Sequence, residues 1–136
     1  MAIKFYDDEH KKAFNQLCEQ MLNRKKESRL DEYHTAAAYL LTLDANCRRH
    51  LDDLFDFEGD GIKHKGIDKA WQTGTSKKTT RLAFNLWNGC YRDDGECEDG
   101  LPANPLYTPE EIFSCSYAGY FIEAIKLRFP DYTQEP

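Results

Sequence analysis

The residues of this chain with the densest chemistry run from Trp71 to Gly89. Thr73, Gly74, Thr75 and Ser76 stand where a helix would begin, so hydroxyls and unpaired backbone N–H groups converge there on an anion. Lys77 and Lys78 add positive charge beside them. Lys77, Arg81, Asn85 and Asn88 follow at spacings of four, four and three, which places them on one helical face. Leu82, Ala83, Leu86 and Trp87 take the opposite, core-facing side. Trp71, just ahead of the helix, offers a ring that stacks on a base or plugs the core. The predicted ligand-binding set is therefore Trp71, Gln72, Thr73, Thr75, Ser76, Lys77, Arg81, Asn85 and Asn88, suited to a small phosphate-bearing molecule such as a nucleotide. The plainer alternative is a capped helix with a solvated basic face. Two amides beside an arginine are poor helix formers, and they tip the reading toward binding.

Sharper motifs fail. In Gly74-Thr75-Ser76-Lys77-Lys78-Thr79 no glycine directly precedes the lysine and no strand leads in, so this is not a phosphate loop of the Walker type. Asp56-Phe57-Glu58-Gly59-Asp60-Gly61-Ile62 opens like a calcium loop. It then places Lys63 and Ile67 where an apolar residue and a bidentate glutamate are needed, and it reads as an acidic turn. His10, His34, His50 and His64 lie on different segments, and no cysteine has zinc spacing, so neither a metal site nor a catalytic group is assigned. His50-Leu51-Asp52-Asp53 lacks the adjacent His-Asp of a metal phosphohydrolase and reads as helix-surface charge. No cofactor is called for.

Length and composition set the frame. At 136 residues and 15.8 kDa the chain suits one domain. Eighteen basic against 24 acidic residues give a net charge of -6, which disfavours direct nucleic-acid binding. Five cysteines without a CxxC pair argue against a disulfide framework and for a reducing cytoplasm; Cys90 and Cys97 are close enough around a loop to meet, but idle cysteines are expected. No signal peptide or membrane-length apolar run is read.

Five or six helices must position these residues. Asp7 caps the first, with Phe14, Leu17, Cys18, Met21 and Leu22 inward and His10, Lys11 and Lys12 toward water. Asp31 caps the second, whose Ala36-Ala37-Ala38 allows close packing. A third starts at Asp44 or Asn46 and runs to the glycines at 59 and 61. The helix holding the candidate site starts at about Thr75 or Ser76 and stops at Gly89. Residues 91–107 form a long acidic loop. Thr108, Pro109 and Glu111 start a last helix that carries Phe113, Tyr117, Tyr120, Phe121, Ala124 and Ile125, with Cys115 and Gly119 as a small-residue seam. Pro130 stops it and a short tail, 131–136, follows. The expected fold is an all-α bundle.

Several longer strings are specific: Asp31-x-Tyr33 with Ala38-Tyr39-Leu40-Leu41-Thr42-Leu43, Leu54-Phe55-Asp56-Phe57, Trp71 to Ser76, Arg81 to Gly89, and Glu123-Ala124-Ile125-Lys126-Leu127-Arg128. Through them the chain, from Phe5 to about Tyr132, resembles an uncharacterised family of small proteins of Gram-positive bacteria, their phages and mobile elements (domain of unknown function 6075). The resemblance carries no activity; its setting implies an accessory or counter-defence role. The leading expectation is thus a non-enzymatic binding module. The rival is an inhibitor that places Asp93, Asp94, Glu96, Glu98 and Asp99 in the basic groove of a host nuclease or other defence enzyme. A homo-oligomer is compatible with either.

Overall fold

The computed structural model describes residues 2–98 and 100–135. Asp7 caps α1 (Asp8–Lys25) through the His10 N–H at 2.8 Å, and Lys26 ends it in the left-handed region at φ 56°. Phe14, Leu17 and Met21 are its buried stripe. Asp31 caps α2 (Glu32–Leu43), and from Ala36 to Leu43 this helix is buried on every side. A helix apolar all round must lie at the centre of the packing. Here α1, α5 (Gly74–Asn88) and α7 (Ala118–Arg128) surround it. Thr42 fits that interior because its hydroxyl donates to the Ala38 carbonyl.

Two expected helices each come as broken pieces. The third splits at His50 into α3 (Ala45–Arg49) and α4 (Leu51–Leu54), then turns into an antiparallel pair, β1 (Phe55–Asp56) and β2 (Gly61–Ile62). The Asp56 carboxylate accepts the Glu58 and Gly59 N–H groups, and Asp60 adopts φ 57°, so side-chain turn chemistry wins over helix. The last splits into α6 (Pro109–Ile112) and α7. Ser114 turns its hydroxyl onto the Glu110 carbonyl, and Cys115 accepts from the Ala118 N–H in a tight turn. Cys115 and Gly119 therefore share no helix, which corrects the expected seam. The result is seven α-helices, two short 3-10 turns (His64–Asp68 and Pro105–Tyr107) and one strand pair among the described residues. The fold is essentially all-α, and none of the described helices is long and apolar enough to cross a membrane.

Polar residues also pin the core. His34 lies between two carboxylates, 2.8 Å from Asp31 and 2.7 Å from Asp60, tying α2 to the β turn; Lys25 reaches Asp60 as well. Burial would raise the Asp31 and Asp60 carboxyls, but the contacts from His34 and Lys25 outweigh it and hold both below their ordinary value.

His10, expected to face water, is fully buried. Its Nδ1 accepts the Tyr6 N–H at 3.1 Å, so Nε2 carries the hydrogen and donates to the Tyr39 carbonyl at 2.9 Å. Burial depresses its pKa below 6.5; the Tyr39 bond opposes this and the Arg48 charge adds to it. His64 is lowered too, by burial, with Asp94 opposing. The folded state thus resists a proton that the unfolded chain takes up below 6.5. Stability from these groups is full above that pH and falls as the pH drops through their folded values. Urea midpoints are expected to decline from pH 7 to pH 5, with a shallower decline in His10→Gln. Parallel slopes in the two proteins would rule out a buried neutral His10.

Candidate functional site

The start of α5 is bolted down by its own side chains. Thr73 caps it: the Thr73 hydroxyl accepts the Ser76 N–H at 3.0 Å, and the Ser76 hydroxyl accepts the Thr73 N–H at 2.7 Å. Ser76, fully buried, in turn donates to Gln72 Oε1 at 2.5 Å. Gln72 Nε2 reaches both the Gly66 carbonyl and the Thr80 hydroxyl at 3.1 Å. Trp71 Nε1 donates to Asp53 at 2.8 Å, and its ring stacks on His50 with centroids 4.5 Å apart and planes 8° from parallel. Lys69 approaches the same Asp53 at 3.9 Å. Gln72, Thr73 and Ser76 are therefore spent on structure, and one face of Trp71 is already covered by His50.

What remains open is smaller than the expected site. Gly74 and Thr75, the first residues of α5, keep N–H groups without an acceptor among the described residues. Lys77 lies half-buried beside them, and Lys78 bonds the Glu111 carbonyl. The first turn of α5 holds no acidic residue, unlike the first turns of α1, α2, α4 and α6. Lysines near the positive end of a helix dipole are unfavourable until an anion arrives.

Arg81 faces inward rather than toward a ligand. It is 7% exposed, and its Nε and Nη2 meet the two carboxylate oxygens of Asp93 at 3.0 Å each. This bidentate pair docks the acidic loop on α5. Tyr107, half-buried with its hydroxyl shielded from water, lies against the same pair, and desolvation, then the Asp93 charge, pushes its ionisation up. Asn85 and Asn88 grip one residue between them: Asn85 Nδ2 donates to the Cys90 carbonyl and Asn88 Oδ1 accepts the Cys90 N–H, both at 3.0 Å. Gly89, at φ 77°, lets the chain reverse there. The two amides thus shape the exit from α5.

That exit brings Cys90 and Cys97 together as a disulfide with Cα atoms 5.7 Å apart, where idle cysteines were expected. The loop carries further ties: Arg92 to Asp94 and the Pro102 carbonyl, and the Tyr91 hydroxyl to the Glu98 carbonyl. Gly95, at φ 75°, lies against the His64 ring so closely that a Cβ would sit 2.8 Å from it. Asp93 and Asp94 are engaged by arginines, Glu96 and Glu98 face solvent, and Asp99 lies outside the described residues. No group of three or more metal-ligating side chains occurs among the described residues.

The sequence reading takes His50 for helix-surface charge and gives Lys69, Tyr107 and Arg128 no place in the site. Two of the groups that Arg128 meets, Leu86 and Tyr33, are distant in sequence. Its Nε donates to the Leu86 carbonyl at 2.8 Å, and its guanidinium lies 3.8 Å from the Tyr33 ring centroid.

Fold and site together define a small all-α protein with polar residues fastening both ends of one amphipathic helix. Over residues 1–136 the chain matches the model of a family of unknown function (DUF6075), and it belongs to that family. No curated protein and no solved structure matches it.

Proposed function

We propose that the protein is a non-enzymatic binding module for a phosphate-bearing small ligand such as a nucleotide, taken at the start of α5. The observation that carries the reading is the pairing of free Gly74 and Thr75 N–H groups with Lys77 at a helix start that lacks any acidic residue. Lys77 supplies charge, the Thr75 hydroxyl a further donor, and the outer face of Trp71 a stacking surface. Arg81, Asn85 and Asn88 act behind this contact set by fixing the helix and its exit. In a mobile-element setting such a module would counter a defence by sequestering a nucleotide signal.

The test is a thermal-shift and calorimetric screen of the folded protein against nucleoside mono-, di- and triphosphates and inorganic phosphate. A bound ligand raises Tm with concentration, and Lys77→Glu removes that rise while leaving the unliganded Tm within about 2 °C. No stabilisation by any member of the panel would sink the proposal. The inhibitor reading keeps one favourable observation, the exposed Glu96 and Glu98 on a tied loop. It gains if a host enzyme is captured in a salt-sensitive way that Glu96→Gln with Glu98→Gln abolishes.

A further inference from the structure

A cleft of about 350 Å3 opens between the C-terminal half of α5 and the α6–α7 arm. That size holds a small organic molecule. Its apolar walls are Leu82, Leu86, Ile112, Phe113, Ile125 and Phe129, and Asn85, Tyr107 and Arg128 bring polarity to the lining. Apolar walls with a few fixed polar groups are the usual make-up of a ligand pocket.

Arg128 is held in place before any ligand arrives. Its Nε is spent on the Leu86 carbonyl, and its guanidinium is flanked by the Tyr33 ring at 3.8 Å and the Phe129 ring at 4.5 Å. Such stacking fixes the direction of the guanidinium fork. No carboxylate among the described residues pairs with it, so its two Nη groups carry their charge unneutralised beside an apolar cavity. Asn85 uses Nδ2 on Cys90 and leaves Oδ1 without a donor among the described residues.

We infer that this cleft binds a small organic acid, its aromatic or branched apolar body against Leu82, Leu86, Ile112 and Phe113 and its carboxylate on the Arg128 fork. Burial of the body supplies the non-directional part of the affinity. The bidentate contact selects the charged head. The site lies toward the other end of α5, roughly 20 Å along the helix from Gly74. It therefore stands or falls apart from the phosphate reading.

The probes are 3-phenylpropionate and its amide, 3-phenylpropanamide, which share a body and differ in charge. Each is titrated into the isotopically labelled full chain and followed by methyl and amide NMR. Saturable shifts at Leu82, Leu86, Ile112 and Ile125 are expected, with the acid binding about ten-fold more tightly than the amide. Arg128→Met should bring the acid down to the level of the amide. Ile125→Phe, which narrows the cleft and leaves Arg128 in place, should weaken both probes. Thermal melts establish that each variant is folded. If Arg128→Met does not fold, the acid-amide comparison on the natural chain and Ile125→Phe still decide. No saturable shifts, equal binding of acid and amide, or full acid binding by folded Arg128→Met would each overturn the site.

Discussion

Arg81→Met is expected to destabilise the protein by about 3 kcal/mol, the loss that follows when a buried ion pair loses one partner. Asp93 would be left with a carboxylate three-quarters shielded from water, its side chain 25% exposed, beside the half-buried Tyr107. The loss should extend beyond the pair. Asp93 holds the loop that Cys90 and Cys97 close, so hydrogen exchange across 91–98 should accelerate out of proportion to the global change. A double-mutant cycle separates the causes. Asp93→Leu removes the orphaned charge, so the combination of Arg81→Met with Asp93→Leu should be more stable than Arg81→Met alone. Urea unfolding of the four proteins measures this. Additive losses, or an Arg81→Met variant as stable as the parent, would show that the pair does not anchor the loop.

That arginine also shows where sequence reasoning stops. Spacing placed Lys77, Arg81, Asn85 and Asn88 on one face, and they do lie on one helix. Spacing could not say what covers that face, because the cover is a loop with no periodicity whose position depends on a glycine reversal, two amides and a cysteine pair. Local signals fared well: Asp7, Asp31, Asp44 and Thr108 cap helices, and Gly89 ends one, since each acts within a few residues. Long-range partners were hidden. His10 finds the Tyr39 carbonyl across 29 positions, and Trp71 finds Asp53 across 18. The breaks at His50 and at Ser114–Tyr117 were missed for the opposite reason. Apolar spacing continued through them, and the turns that interrupt the helix, made by backbone bonds at His50 and joined by the Ser114 hydroxyl at the second break, leave no mark on periodicity.

Gly66→Ala is the second large effect, again about 3 kcal/mol of destabilisation, at the upper end for overpacking. A Cβ there would lie 2.4 Å from the Asp53 carbonyl oxygen and 2.7 Å from Leu54 Cδ2. The first of these is backbone, and Leu54 is fully buried, so α4 and the 3-10 turn must part for the methyl to enter. That separation strains two contacts that fasten the start of α5: the Gln72 bond to the Gly66 carbonyl and the Trp71 bond to Asp53. Trp71 fluorescence should therefore change along with the unfolding midpoint. Gly74→Ala is the matched control, because nothing lies within 4 Å of its Cβ and alanine suits a helix better than glycine. It should leave stability unchanged or raise it by less than about 1 kcal/mol. A Gly66→Ala protein that melts with the Gly74→Ala control would mean that α4 and the 3-10 turn have room to separate. The helix start, with its free N–H groups, would then be held by its capping residues alone.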